Sequence, residues 1–316
     1  MRIVLFGTGE FALPVFEALM SAPEHEVAGV YTQPDRTGRG HHRHVNKVKD
    51  LALKMGVPVF QPQQVNAPDE LDQLRNLNGD VFVVAAYGQI LKPEFLAIPR
   101  LGAFNLHGSI LPRHRGAAPV QYSIWKGDEL AGVTLFQIEP ALDSGPMIGC
   151  VETPIGPQES SGELMMRLAD LSIPLTLESL AKLNDGSAVF KTQDTSLVTL
   201  APKIRKDDGI IDWSQSAAEI DCHIRAMQPW PRAATWLHND GRKPTRCLIL
   251  NAVPARSTSR GEPGTIIRSG KQVLVTTGNG DLQVNTVQPE GRQAMDTISL
   301  LNGFGIKDGA VFGNDN

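Results

Sequence analysis

Ile3-Val4-Leu5-Phe6-Gly7-Thr8-Gly9-Glu10-Phe11-Ala12-Leu13-Pro14-Val15-Phe16-Glu17-Ala18-Leu19-Met20 decides how the first half of the chain folds. Four apolar residues run into a glycine turn, and the apolar positions from Phe11 to Met20 then recur at helical spacing. The stretch therefore reads as strand, tight turn and amphipathic helix. The same alternation repeats downstream. Val27 to Tyr31 is a second strand, Val48 to Met55 a helix stopped by Gly56, and Val57-Pro58-Val59-Phe60 a short strand. Asp69 to Leu77 and Val81 to Ala86 form the next helix and strand. Apolar strand runs separated by helices predict a mostly parallel, Rossmann-like α/β sheet covered on both faces. Ala103-Phe104-Asn105-Leu106-His107 is its next member and Ala131 to Ile138 a further strand. Ser160-Ser161-Gly162-Glu163 is a capping box for a helix carrying Leu164, Met165, Leu168 and Leu171 on one side, which closes the first domain.

Gly7-Thr8-Gly9-Glu10-Phe11-Ala12 also satisfies G-x-G-x-x-(G/A), the dinucleotide-binding fingerprint. That fingerprint requires an acid at the end of the second strand. Here the strand ends in Tyr31-Thr32-Gln33-Pro34, and Asp35 comes only after the proline. The glycines are read as structural, which argues against a nicotinamide oxidoreductase.

With 316 residues, 41% hydrophobic and 20% charged, the chain is long enough for two domains of ordinary globular composition. The apolar start meets a glycine at once, so no signal peptide or membrane span is expected and a cytoplasmic location is. Cys150, Cys222 and Cys247 are few, odd in number and far apart, so plain buried thiols are expected rather than a disulfide framework or zinc cluster. A net charge of −4 opposes indiscriminate binding to a polyanion and leaves any nucleic-acid contact to local basic patches. After about Lys206 the pattern changes to short apolar runs broken by Gly, Pro, Asn and Asp. These runs are Ile210 to Trp213, Ala233 to Leu237, Cys247 to Leu250, Thr265 to Ile267, Val273 to Thr276 and Leu282 to Val284. They predict a small β-barrel, with helices at Ala217 to Met227 and Met295 to Leu301. Trp213 and Trp230, set among apolar and Pro residues, are expected to pack rather than to stack on bases.

Strand alternation puts Asn105 and His107 on one face, so an amide and an imidazole project together. A turn-forming stretch follows, Gly108-Ser109-Ile110-Leu111-Pro112-Arg113-His114-Arg115-Gly116, and Leu142-Asp143-Ser144-Gly145 supplies a carboxylate. Singly, Asn105 could satisfy a strand end, His107 could be a core histidine and Asp143 a turn former. Together they bring an amide, an imidazole and a carboxylate to one site. The combination closely resembles the folate-dependent formyltransferases, whose pattern is Asn-x-His-x-Ser-Leu-Leu-Pro followed by a distant Asp in an Asp-(Ser/Thr)-Gly turn. Ile110 replaces the usual Leu, and Gly9 replaces the usual Pro of the first turn. The resemblance implies that Asn105 donates to a developing oxyanion, that His107 is donor or base, and that Asp143 orients the ring and favours its charged form. It assigns Ser109, Ile110, Leu111 and Pro112 to the folate site, with Tyr87, Gly88, Ile90 and Leu91 as a second pterin-pocket segment. The formyl donor is then 10-formyltetrahydrofolate, with no metal.

Acceptor choice rests on other residues. Thr32-Gln33-Pro34-Asp35-Arg36-Thr37-Gly38-Arg39-Gly40 resembles the loop of the family branch that formylates methionyl initiator tRNA. From Arg36 to Lys49 there are five Lys or Arg and no acid, a basic loop suited to phosphates. His41-His42-Arg43-His44 lacks a carboxylate or Cys partner for a metal. The loop is one residue shorter than in the family, and its continuation differs. Ala201 to Trp213, Gln228-Pro229-Trp230-Pro231 and Val287 to Arg292 resemble segments of that branch's carboxyl-terminal barrel of the oligonucleotide-binding type. The expected division is a catalytic domain over 1–190, a linker over 191–206 and an OB-like tRNA-binding domain over 207–316. Arg36, Arg39, Arg43, Lys203, Arg205 and Lys206 are the candidate tRNA contacts, and a monomer is expected. The rival acceptor is an amino-sugar nucleotide, which leaves the basic loop without a purpose. A catalytically silent tRNA-binding module would not need Asn105, His107 and Asp143 intact.

Overall fold

The computed structural model describes residues 1–316 apart from 36–44, 240–241, 258, 260, 307–309 and 316. It divides into two compact units. The first comprises Met1–Pro119, Leu130–Pro154 and Met165–Pro202, and the second Val120–Glu129, Ile155–Leu164 and Lys203–Asn316. The main boundary falls inside the stretch 191–206 expected to be a linker. The grouping of 120–129 and 155–164 with the second unit is not legible in chain order.

In the first unit, β1 (Arg2–Gly7), β2 (Glu26–Tyr31), β3 (Val59–Phe60), β4 (Val81–Ala85) and β5 (Ala103–His107) run parallel in the order β3-β2-β1-β4-β5. β6 (Arg115–Gly116) leaves this sheet. β7 (Leu130–Gln137) then pairs antiparallel with β5, and β8 (Met147–Pro154) antiparallel with β7. Helices α1 (Leu13–Ser21), α2 (Lys47–Lys54), α3 (Pro68–Asn76) and α4 (Pro93–Leu96) alternate with the parallel strands. Ile3, Val4, Leu5 and Phe6 are wholly buried, the expected consequence of a central parallel strand covered on both faces. Phe6 stacks on Tyr31 and meets Tyr87 and Phe95 edge-on, forming an aromatic core. A Cβ at Gly7 would lie 2.8 Å from the Ala85 carbonyl and from the Phe16 ring. This glycine therefore serves the close approach of β1 to its neighbours.

α5 (Pro119–Trp125) follows β6, and α6 (Ser161–Asp185) begins at the expected capping box. There the Ser160 hydroxyl and amide both donate to Glu163 Oε2, at 2.6 and 2.9 Å. Beyond it, β9 (Leu200–Ala201) pairs in parallel with β6.

The second unit contains α7 (Ala217–Ala226), β10 (Ala233–His238), β11 (Thr245–Pro254), β12 (Ile266–Ser269), β13 (Gln272–Thr276), β14 (Asp281–Pro289), β15 (Met295–Asp296), α8 (Thr297–Gly303) and β16 (Val311–Gly313). Antiparallel pairing in the order β12-β13-β14-β11-β10-β16 makes one sheet, with β15 on β14. The Ile266 amide donates to the Ala310 carbonyl at 3.0 Å and the Phe312 amide to the Gly264 carbonyl at 2.9 Å. These bonds join the two ends of the sheet, so the expected barrel closes and no free edge remains there. β11 and β14 are longer than their apolar runs because they pair with each other from Cys247 opposite Pro289 to Pro254 opposite Leu282. Ile210 to Trp213 is not a strand. It makes one bridge to β10, and the buried Trp213 ring stacks on Phe312 while its Nε1 donates to the Thr235 hydroxyl at 3.0 Å. Trp230, in contrast, is 56% exposed in the turn after α7. Among the described residues no helix is long and apolar enough to cross a membrane.

Candidate active site

β5 delivers Asn105 and His107 to one place because its backbone is fixed on both sides. Asn105 sits opposite Val84 of β4 and Phe136 of β7, and His107 opposite Thr134. The imidazole is buried. Its Nε2 lies 2.9 Å from the His114 carbonyl, and because a carbonyl only accepts, Nε2 carries a proton; in the neutral ring the lone pair is then on Nδ1. Nδ1 faces Asp143 Oδ2 at 3.8 Å, too far for a direct hydrogen bond. The same Oδ2 accepts the Gly116 amide at 2.8 Å. Burial pushes the His107 pKa below its ordinary 6.5, against the opposing pull of the Asp143 charge and the His114 carbonyl. Burial therefore favours the neutral form of the ring. Asn105 is half-buried beside it, and among the described residues its carboxamide makes no hydrogen bond. One side thus offers an unengaged N–H donor and the other a neutral base backed by a carboxylate, the two requirements of acyl transfer to an amine.

The loop after β5 is shaped by groups that sequence reading missed. The Thr134 hydroxyl donates to the Ser109 carbonyl at 2.7 Å and accepts the Leu111 amide at 3.1 Å. Ser109 is fully buried and its hydroxyl donates to the Arg113 carbonyl at 2.7 Å, so it holds the loop rather than presenting itself to a ligand. Ile110, Leu111, Pro112 and Arg113 line a pocket of about 300 Å³ together with Met147, Lys191, Thr192, Asp194 and Leu197. Three of the four residues first assigned to folate from this loop are therefore brought together at one cavity. Tyr87, Gly88, Ile90 and Leu91 do not line it. The Tyr87 ring is turned into the aromatic core at 2% exposure, Leu91 packs against the same core, Gly88 takes a φ of +81°, and Ile90 is exposed. The loop carrying them is pinned by Gln89, which accepts the Val65 amide at 2.9 Å, and by Asn66, which donates to the Ile90 carbonyl at 2.8 Å.

Residues 191–201, expected as part of a linker, are built into the site. Lys191 exchanges backbone hydrogen bonds with Met147, Gln193 reaches Asp143, and Thr199 receives the amides of His114 and Arg115. Their signal in the sequence is weak because each acts through contacts tens of residues distant. Lys203, Arg205 and Lys206 are exposed, whereas Arg36, Arg39 and Arg43 lie outside the described residues. The cysteines are free thiols, but only Cys247 is fully buried; Cys150 is exposed on the same side of β8 as Glu152 and Pro154. Among the described residues no cluster of His, Cys, Asp and Glu could hold a metal.

A family model described as formyl transferase matches residues 1–179, and one described as formyl transferase, C-terminal domain, matches residues 203–305. A methionyl-tRNA formyltransferase of Pseudoalteromonas translucida (strain TAC 125) is 40% identical over 320 residues, covering 100% of this chain and 98% of the relative. The chain belongs to the methionyl-tRNA formyltransferase family. Its fold also resembles WlaRD, a sugar 3N-formyl transferase solved with dTDP and 5-N-formyl-THF, with a TM-score of 0.67 at 16% identity over 93% of this chain and 99% of that one. HypX from Aquifex aeolicus, solved with tetrahydrofolic acid, gives 0.60 at 16% identity over 98% of this chain and 48% of that one. These distant likenesses speak for the fold alone. Family membership places the Asn105, His107 and Asp143 constellation in a formyltransferase, as the resemblance of the loop residues implies.

Proposed function

We propose that this formyltransferase moves the formyl group of 10-formyltetrahydrofolate to the α-amino group of methionine carried by initiator tRNA, with Asn105, His107 and Asp143 at the reacting carbon. The observation that carries this reading is an Asn105 carboxamide with no hydrogen bond among the described residues beside the buried His107 imidazole, in a chain matched along its whole length by a methionyl-tRNA formyltransferase. His107 Nδ1 accepts a proton as the uncharged amine nitrogen bonds to the formyl carbon. Asn105 donates to the oxygen that gains negative charge, a contribution of about 3 kcal/mol where one such donor has been removed elsewhere. Asp143 stabilises the imidazolium so formed. The bond from carbon to the folate nitrogen then breaks, and the proton held on His107 is the one available to that leaving nitrogen. Ile110, Leu111 and Pro112 supply apolar edges for the folate, and the exposed Lys203, Arg205 and Lys206 offer cations to the tRNA backbone.

The test supplies formylfolate with three acceptors in parallel: charged initiator tRNA, elongator tRNA carrying methionine, and an amino-sugar nucleotide. Initiator tRNA is expected to be formylated fastest, and preference for the sugar nucleotide would overturn the acceptor assignment. Asn105→Ala should lower kcat by about 10²- to 10³-fold, the loss of one oxyanion donor, with tRNA affinity and melting temperature unchanged. Retained turnover in that variant removes Asn105 from the chemistry.

A further inference from the structure

Gln193 lies between residues 179 and 203, outside both segments matched by the family models. It is 5% exposed, and both ends of its side chain are engaged. Its Nε2 donates to the Asp143 carbonyl at 2.9 Å and to the Gly145 carbonyl at 2.8 Å. Its Oε1 accepts Nε and Nη2 of Arg115 at 3.1 and 2.7 Å. The two segments joined in this way are the ones that hold the reacting groups. Arg115 is flanked by His114, whose carbonyl takes the His107 Nε2 proton, and by Gly116, whose amide binds Asp143 Oδ2.

We infer that Gln193 is a positioning residue for formyl transfer, clamping the Asp143 turn to the 114–116 segment so that the carboxylate stays at the face of His107 Nδ1. This rests on the roles proposed above for His107 and Asp143. The chemistry of the amide is specific to the task. One end must accept from a guanidinium while the other donates to two carbonyls, which neither a carboxylate nor an ammonium can do. Asp143 itself takes a φ of +44°, in the left-handed region that non-glycine residues seldom adopt and Asp enters more readily than most. The two carbonyls that Gln193 grips belong to this residue and to the next residue but one, so the clamp acts directly on the turn that carries the carboxylate. The neighbours Thr192 and Asp194 line the pocket beside Ile110 to Arg113. The same short segment thus touches the candidate folate cavity and the general-base pair.

The experiment compares Gln193→Leu, which removes both ends of the clamp, with Gln193→Glu, which keeps the acceptor for Arg115 but turns an oxygen toward the two carbonyls. Both are expected to lose roughly ten- to a hundred-fold in kcat, the scale of a misplacement of about 1 Å, with KM for either substrate within about two-fold. The ring titration of His107, followed by NMR in the intact protein, should move to lower pH in both variants, because Asp143, whose charge opposes the effect of burial on the ring, is released from it. In an Asp143→Ala background the Gln193→Leu change should cost almost nothing further, as expected for groups acting as one unit. Unaltered kcat, an unmoved His107 titration, or full additivity with Asp143→Ala would each overturn the assignment. The titration needs no acceptor, so it gives its answer even if the wild-type protein fails to formylate tRNA, which would be a failure of the proposed function instead. If Gln193→Leu does not fold, Gln193→Glu decides.

Discussion

Gly145→Ala tests how rigidly the Asp143 turn must be held. An added Cβ would lie 1.8 Å from the Gln137 carbonyl oxygen, whereas real Cβ atoms essentially never approach closer than 3.0 Å. The turn, or the end of β7, must therefore move by at least 1.2 Å, the difference between those two distances. Both are tied in place: the Gln137 amide donates to the Pro146 carbonyl at 2.9 Å, and Gln193 holds the carbonyls of Asp143 and Gly145. A shift of that size two residues away breaks the 2.8 Å bond from the Gly116 amide to Asp143 and carries the carboxylate off the His107 ring. A displacement of about 1 Å costs roughly 10²-fold in rate, about 2.7 kcal/mol of transition-state stabilisation. Overpacking adds about 1–3 kcal/mol of lost stability. The assay is steady-state formyl transfer at saturating donor and acceptor, with calorimetric melting of the same sample. Gly303→Ala is the control, because nothing lies within 4 Å of its Cβ position in α8; it should keep full activity and gain up to about 1 kcal/mol of stability. A Gly145→Ala protein with more than half the wild-type kcat and an unchanged melting point would show that the turn absorbs a methyl group without moving Asp143, and would refute the reasoning.

Burial holds the folded-state pKa of His107 below 6.5, so the unfolded chain binds its proton first as pH falls. The His107 contribution to stability is therefore intact above about pH 6.5 and is lost as pH drops toward the folded-state value; an NMR midpoint above 6.5 would contradict this. Asp143→Asn should lower that midpoint further, because the aspartate charge is what opposes burial. In the second unit, Arg225 Nε meets Asp221 Oδ2 at 2.9 Å, and both side chains are largely buried. Arg225→Leu leaves the buried Asp221 carboxylate without its counter-charge, held among the described residues only by the Gln158 amide, and should cost about 3 kcal/mol by denaturant unfolding at pH 7; a loss under about 1 kcal/mol would show that Arg225 is not what sustains the buried charge.

The sequence alone determined the local and periodic features. The apolar run at Ile3 to Phe6, the helix spacing after Phe11 and the Ser160 to Glu163 capping box each depend on residues within a turn or a strand of one another, and each reappears in the fold. Asn105 and His107 share a face because strand alternation is a property of the backbone itself. The barrel was legible as a class, but its lengths were not, since β11 and β14 extend as far as they find each other. Tertiary structure decided everything that depends on two distant segments meeting. Thr134 pins the Ser109 loop through register across β5 and β7, the Tyr87 ring turns into the aromatic core, and residues 191–201 pack against the Asp143 and His114 segments of the candidate site. The protonated nitrogen of His107 was likewise open in the sequence, because it is fixed by a backbone carbonyl seven residues away that only folding brings to the ring. Hydrogen bonds of this kind carry no periodicity, so a one-dimensional pattern holds no trace of them.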